Sequence, residues 1–337
     1  MKKNDANPII VSVVMPIYNE EKYIAKCIDS LFKQSFPKEK MEWIFVDGMS
    51  EDKTKSIINQ YIEKYPHLIR VFDNPNKTVP YAMNIGIKKS IGKYIVRLDA
   101  HAEYPTDYIE KCVYYLDTTD ADNVGGIAET RSKTAMGSTI AKMLSTKFGV
   151  GNSDFRTNGS SGYVDTVPFG AFRREVFEKY GYYDERLTRN QDNEMNYRIR
   201  KNGGKIYLSS DINFVYYCRD SIRGITDMAL KNGAWNIVTM KLCPGSMGAR
   251  HFIPLLFVLS IVGLITLGFF YSAFFYLLLL ELLLYVSLDC WFSIKPACSV
   301  YEFSLLMLLY PMFHISYGLG SIKGIMLCIT KKYGGIF

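Results

Sequence analysis

From Phe252 to Phe292 the chain runs for about 41 residues with almost no polar side chain. A helix needs about 20 apolar residues to cross the hydrocarbon core of a bilayer, so this run is too long for one crossing. It fits two antiparallel spans with a tight turn near Tyr271-Ser272. Lys295-Pro296 then marks a polar break, and Phe303 to Gly320 forms a third apolar segment carrying Pro311, His314 and Gly318. If the amino-terminal part is cytosolic, three full crossings put Lys323, Lys331 and Lys332 outside, against the excess of Lys and Arg in cytoplasmic loops. The expectation is a membrane domain over 251–337 with two or three apolar helices, the third spanning, re-entrant or interfacial. Glu281 and Asp289 lie within the apolar stretch. Each is either a functional carboxylate or a group that reaches the turn or the headgroups.

Only four of the 40 Lys and Arg residues and three of the 33 Asp and Glu residues follow Arg250, so nearly all of the net charge of +7 belongs to the part before the tail. A mild positive excess suits anionic headgroups or phosphates and argues against a nucleic-acid partner. The seven cysteines are scattered and form no C-x-x-C pair, which disfavours a disulfide framework or zinc site and suits a reducing compartment. The start MKKNDANPII has two lysines but no long apolar run behind them, so no signal peptide is expected and the first domain should stay cytosolic. Ser221 to Met247 mixes Ile222, Ile225, Met228 and Trp235 with Arg223, Lys231 and Lys241. Residues 221–250 therefore read as an amphipathic interfacial region binding membrane lipid, or as an ordinary packed helix.

The part before the tail alternates strand and helix. Ile9–Val14, Glu42–Val46, Leu68–Phe72 and Tyr94–Leu98 read as short apolar strands, and Glu20–Gln34, Glu51–Lys64 and Val79–Lys89 as helices. Such alternation implies an α/β fold with a doubly wound, mainly parallel sheet and helices on both faces. Further on, Thr106–Leu116, Thr139–Phe148, Arg173–Tyr180 and Asn193–Lys201 read as helices. Asn123–Ile127 and Val164–Phe169 read as strands, and Gly149–Tyr163 as a loop. Ligands of doubly wound sheets bind outside the carboxyl ends of the strands, where Asp47 and Asp99 both stand.

Four short stretches carry chemistry. In Arg97-Leu98-Asp99-Ala100-His101-Ala102 the first and third positions of an extended segment point the same way. Asp99 and His101 can thus grip one cation, the imidazole favouring Mn²⁺ over Mg²⁺, or they are two surface polar residues. In Met15-Pro16-Ile17-Tyr18-Asn19-Glu20, Pro16 fixes a turn, Tyr18 offers an aromatic face, and Glu20 is a hydrogen-bond acceptor or a first-turn helix acid. In Val46-Asp47-Gly48-Met49-Ser50, Asp47 projects from a strand end and Ser50 is the expected N-cap of the next helix. Asn190-Gln191-Asp192-Asn193-Glu194 opens a helix, where a carboxylate is either a cap or a reactive group.

Taken together with VSVVMPIYNEEKYI, TVPYAMNIGIKKSIGKYIVRLDAHAEYP, VDTVPFGAFRREVFEKYGYYDERL and RNQDNEMNYRIRKNGGKIY, these stretches resemble the family 2 inverting glycosyltransferases. The likeness is strongest to the membrane-associated branch that includes the succinoglycan glucosyltransferase. It covers roughly Val11 to His251 and the apolar tail. The resemblance implies a GT-A catalytic domain over 1–220, a nucleotide-sugar donor (typically a UDP-sugar) and a divalent cation, Mn²⁺ or Mg²⁺. Pro16, Tyr18, Glu20, Asp47, Asn84, Arg97 and Asp99 would contact the donor. The family's D-x-D triplet here ends in His101, so Asp99 and His101 would hold the metal. Asp192 matches the catalytic base, and Gln191 replaces the usual Glu before it. Gly170, Phe172, Glu194 and Trp235 would face the acceptor, for which a polyprenyl-diphosphate-linked saccharide in exopolysaccharide or capsule biosynthesis is expected. A processive synthase is disfavoured because Trp235 lacks the Q-x-x-R-W context. A non-catalytic nucleotide-sugar-binding scaffold is the other alternative, resting on Gln191 and His101.

Overall fold

The computed structural model describes residues 8–157 and 159–330. They separate into two compact units: residues up to Glu129 with those from 159 to Tyr216, and Thr130–Thr157 with those from Tyr217 onward. The strands are β1 (Val11–Ile17), β2 (Met41–Asp47), β3 (Ile69–Asp73), β4 (Tyr94–Arg97), β5 (Ala102–Glu103), β6 (Asn123–Arg131), β7 (Gly162–Tyr163), β8 (Ala171–Arg173) and β9 (Ile206–Tyr217). The helices of the first unit are α1 (Ile24–Phe32), α2 (Thr54–Lys64), α3 (Val79–Lys89) and α4 (Tyr108–Thr118). The second unit inserts α5 (Ala135–Leu144) and α6 (Lys147–Val150). After α7 (Glu175–Tyr180) and α8 (Gln191–Lys201) of the first unit come α9 (Ile222–Leu242), α10 (Ile253–Gly268), α11 (Ala273–Ile294) and α12 (Val300–Thr330) of the second.

In the first unit the sheet runs β3-β2-β1-β4-β8-β6-β9-β5, with β7 on β9. β1, β2, β3 and β4 are parallel, and β8 joins β4 antiparallel, so the sheet is mixed. Every residue of β2 and β4 is buried, as expected for parallel strands covered on both faces. In α1, Ile24, Cys27, Ile28 and Leu31 recur at helical spacing and form its buried stripe. Because β1 and β2 end in register, with Ile17 opposite Asp47, their following loops meet at one sheet edge.

Four local expectations change. Val164–Phe169 is not a strand: it is irregular, and Phe169 (φ 57°) and Gly170 (φ 26°) turn the backbone away from any ladder before β8 begins. The segment's apolar residues are still buried, as at Val167, which is why its composition resembles a strand. Thr139–Phe148 is broken at Ser145-Thr146, because the Thr146 hydroxyl accepts from the Gly149 amide and caps a new helix. Gly149–Tyr163 accordingly loses its ends to α6 and β7. Ser50 caps no helix; its amide and hydroxyl both donate to Asp47, and α2 starts at Thr54. The long strand β9 carries Ser209, Ser210 and Asp211 at its centre, which hides its alternation.

In the second unit α9 lies along α12. A Cβ on Gly233 would sit 2.0 Å from the Tyr317 carbonyl oxygen, and one on Gly320 would sit 2.1 Å from that of Leu230. Only glycine permits such close backbone approach between helices. α10 and α11 are joined by a turn over 269–272, at the expected Tyr271-Ser272. Among the described residues three helices are long and apolar enough to cross a membrane, Ala249–Gly268, Ala273–Ile294 and Val300–Thr330. The third is unbroken through Pro311, about 46 Å long at 1.5 Å per residue. Half of its most apolar stretch is buried, against 17% and 6% for the other two, so α12 is the inner helix of this unit. Glu281 accepts from Ser260 at 2.6 Å and Asp289 from Ser293 at 3.0 Å. Lys331 and Lys332, used in the topology argument, and Met1–Asn7, used in reading the amino terminus, lie outside the described residues.

Candidate active site

The two loops after β1 and β2 are stitched by side chains. Asn19 and Met49 both have left-handed backbones, and each loop bonds the other: the Asn19 amide donates to Ser50 Oγ, the Glu51 amide to Asn19 Oδ1, and the Glu20 amide to Thr54 Oγ1. Asp47 is buried and accepts from the Ser50 amide at 3.1 Å and the Ser50 hydroxyl at 2.5 Å. Beside these loops is a cavity of about 140 Å³ lined by Pro16, Tyr18, Glu20, Lys77, Asp99 and His101. Lys77 sits 5.5 Å over the exposed Tyr18 ring. The cavity thus joins an aromatic face, a cation and three groups able to accept or ligate.

At the end of β4 the expected donor-side and base residues come together. Arg97 is 4% exposed, and its Nη1 donates to Asp192 Oδ1 at 2.5 Å while Nη2 lies 3.4 Å from Asp99 Oδ1. Its guanidinium stands 5.3 Å over the Phe169 ring, and its backbone amide donates to the Gly170 carbonyl. Asp99 is held by its amide, which donates to the Tyr104 hydroxyl oxygen at 2.9 Å. Burial pushes Asp192 above the usual carboxylate range; the Arg97 charge opposes this and Asp99 adds to it. Arg97 is raised: burial would lower it, and the Asp192 and Asp99 charges more than offset that. The Asp192 side chain keeps 29% exposure, so a substrate can reach it. Such a carboxylate, partly desolvated yet accessible, is suited to taking a proton near neutral pH. Burial, with Glu20 and Asp99 nearby, pushes the Cys27 thiol up to about 12, which rules it out as a nucleophile.

His101 Nδ1 is 3.3 Å from Glu20 Oε1. Among the described residues no three His, Cys, Asp or Glu side chains gather into a set that could hold a metal ion unaided. Asp99 and His101, both lining one cavity, are of the donor types that would hold a divalent cation and offset negative charge beside it.

The other expected residues are placed differently. Asn84 is buried, and its amide is taken up by Tyr183 and Glu185, clasping that loop to α3. Glu194 pairs with Arg198 through two bonds of 2.9 and 2.6 Å. Phe172 is a core residue of β8 packed on Phe177 and Tyr183. Gly170 forms the turn that receives Arg97, and a Cβ there would meet Asn123 Oδ1 at 2.4 Å. Trp235 belongs to the second unit and is buried in α9. Sequence reasoning missed Lys77 and Tyr104; a lysine in the Asn-Pro-Asn-Lys loop after β3 was the available signal for the first.

The profile described as Glycosyl transferase family 2 matches residues 12–181. A dolichyl N-acetyl-alpha-D-glucosaminyl phosphate 3-beta-D-2,3-diacetamido-2,3-dideoxy-beta-D-glucuronosyltransferase of Methanococcus voltae is 30% identical over 231 residues, 66% of this chain and 72% of that one. The succinoglycan biosynthesis protein ExoA of Rhizobium meliloti is 30% identical over 209 residues, 61% and 63% of the two chains. Among solved structures, the mannosyltransferase PcManGT from Pyrobaculum calidifontis, in complex with GDP-Man and Mn²⁺, aligns with a TM-score of 0.59 at 18% identity over 98% of this chain and 91% of that one. TarS 1-349 of S. aureus in complex with UDP-GlcNAc aligns at 0.51 and 16% identity, over 94% and 92%. These likenesses show the GT-A fold. The mixed sheet, the acidic residues at its strand ends and a profile match spanning half of the sequence converge, and the chain belongs to glycosyl transferase family 2.

Proposed function

We propose that the protein is an inverting glycosyltransferase that moves a sugar from a nucleotide sugar, with UDP as the nucleotide, to a polyprenyl-diphosphate-linked saccharide in exopolysaccharide or capsule biosynthesis. The observation that carries this reading is the buried Arg97, which ties Asp99 and Asp192 into one cluster although they are far apart in sequence. In this reading Tyr18 and Asp47 hold the nucleobase side of the donor, and Lys77 faces its phosphates. Asp99 and His101 hold a divalent cation, which when bound offsets the charge of the departing diphosphate. Asp192 Oδ1 is held by Arg97, leaving Oδ2 to take the acceptor hydroxyl proton. The hydroxyl oxygen then bonds to the anomeric carbon from the face opposite the nucleotide, the bond from that carbon to the phosphate oxygen breaks, and the nucleoside diphosphate leaves. Relatives solved with GDP-Man and Mn²⁺ or with UDP-GlcNAc support a nucleoside-diphosphate sugar and a divalent ion. Residues 1–220 act as the catalytic domain on the cytosolic face and 221–250 follow as an interfacial region. Residues 251–337 hold the chain in the cell membrane.

The test is Asp192→Asn in full-length protein given a panel of UDP-sugars and Mn²⁺. Transfer should fall by about 10²–10⁴-fold, the usual contribution of a positioned base, while donor affinity stays within about threefold. Transfer at wild-type rate would sink the base assignment. A wild-type protein that binds donors but never turns over would leave the scaffold reading standing.

A further inference from the structure

Asp192 and the guanidinium that holds it reach their cluster on different segments of the first unit. Asp192 stands in the first turn of α8, while Arg97 is seated by the irregular stretch 164–170, through the Phe169 ring and the Gly170 carbonyl. Their 2.5 Å bond therefore depends on the register of α8 against that stretch. Positions four apart share a helix face, so Asn196 lies one turn beyond Asp192 on the same side. A chain of buried hydrogen bonds ties that side down. Asn123, the first residue of β6, donates from Nδ2 to Asn196 Oδ1 at 2.7 Å. Asn196 Nδ2 donates to the Thr166 hydroxyl at 2.8 Å and to the Val167 carbonyl at 3.2 Å. The Thr166 hydroxyl in turn donates to Asn193 Oδ1 at 3.2 Å, beside Asp192. A further bond, from Arg200 Nε to the Asp165 carbonyl at 3.0 Å, lies two turns away from Asp192.

Asn123 and Asn196 are at most 1% exposed, so neither reaches solvent or substrate. The Asn196 amide has both hydrogens and its oxygen engaged, which leaves it one orientation. Stability alone does not explain the arrangement. Asn123 Oδ1 is buried and has no donor among the described residues, which is a net cost. Replacing both partners of a buried hydrogen bond by apolar groups of the same shape is close to neutral. What carbon cannot supply is direction. We infer that Asn196 is a positioning residue for sugar transfer: through Thr166 and Val167 it fixes α8 against the stretch that seats Arg97, and so fixes where Asp192 meets the acceptor hydroxyl. This rests on the reading of Asp192 as the base.

The test uses full-length protein carrying Asn123→Leu with Asn196→Leu, since leucine is close in shape to asparagine. Thr166→Val is a milder second variant, which removes two of the three bonds that Asn193 and Asn196 make to the stretch. Melting temperature, UDP affinity and stoichiometry, and kcat for UDP release from the UDP-sugar that wild type turns over fastest are measured on each, with Asp192→Asn beside them. The double variant should melt close to wild type and bind UDP within about threefold, yet lose about 10–100-fold in kcat, because a displacement of about an ångström can cost up to two powers of ten. Thr166→Val should lose less than the double variant and still fall below wild type. A merely structural role would lower the melting temperature and the fraction of chains that bind UDP, and leave kcat per UDP-binding site as in wild type; that result overturns the inference. So does a wild-type kcat in Thr166→Val, even where the double variant does not fold. Wild-type transfer by Asp192→Asn sinks the base reading itself, whereas an inactive Asp192→Asn beside fully active Asn196 and Thr166 variants sinks this inference alone.

Discussion

Replacing Arg97 with Met removes the cation between Asp99 and Asp192 while roughly keeping its volume. Breaking a buried ion pair from one side costs about 3–5 kcal/mol, because the remaining charge is left desolvated. Here two carboxylates are left, but their side chains keep 15% and 29% exposure, so water recovers part of the loss. The lower end, about 3 kcal/mol, is therefore expected. For a unit of this size that corresponds to a fall in Tm of roughly 6–12 °C. The same change acts on chemistry with a defined sign. The Arg97 charge favours ionised Asp192 against the effect of burial, so its removal moves the Asp192 pKa further up. A base must be deprotonated to work, so the acid limb of kcat against pH should move to higher pH in the variant, and partly return in Arg97→Lys. Thermal melting of the detergent-solubilised chain and pH–rate profiles of nucleotide release measure the two effects. A variant that melts with the wild type and keeps its pH profile would refute the account of the cluster.

Two further outcomes follow from other parts of the molecule. On the proposed reading, in which His101 would be one of two protein ligands, His101→Ala should raise the Mn²⁺ concentration needed for half-maximal nucleotide release by about tenfold; an unchanged requirement would remove His101 from the metal site. Gly320→Leu places a side chain where only 2.1 Å separates a Cβ from the Leu230 carbonyl oxygen, so α9 and α12 must part. Overpacking of this kind costs about 1–3 kcal/mol, seen as a lower melting temperature and yield, whereas nucleotide binding by first-unit residues should persist.

What was legible in the sequence was whatever local pattern determines. The strands β1, β2 and β4 announce themselves because they are buried on both faces and are mostly apolar, and Asp47 and Asp99 follow from standing at the ends of β2 and β4. The tail was legible because length and composition alone decide whether a helix can span. Contacts over long separations were not. Asn84 reads as a cleft residue from its stretch, yet it bonds a loop about a hundred positions away. Glu194 sits close to Asp192 in sequence, but the helix turns it to Arg198, four residues on. The break at Ser145-Thr146 and the turn at Phe169-Gly170 depend on a hydroxyl cap and on left-handed backbone, which apolar periodicity does not register.

Gln191 shows how one residue can be legible in identity and opaque in purpose. It stands next to Asp192 at the start of α8, where the resembled family carries Glu, and its side chain is buried with Oε1 unpartnered. A buried acceptor without a donor destabilises by about 1–3 kcal/mol, so its retention argues for a partner that arrives with substrate. A glutamate there would add a third carboxylate to a cluster that already relies on one arginine. The neutral amide accepts a hydrogen bond without raising Asp192 further. Gln191→Leu should then do two opposite things. It should raise the melting temperature by roughly 2–4 °C, as an unsatisfied acceptor is replaced by carbon. It should also raise KM for the acceptor up to about tenfold, the value of one neutral hydrogen bond, with donor affinity unchanged. A variant that is less stable and keeps the wild-type acceptor KM would show that Gln191 is a packing residue whose oxygen has no role in transfer.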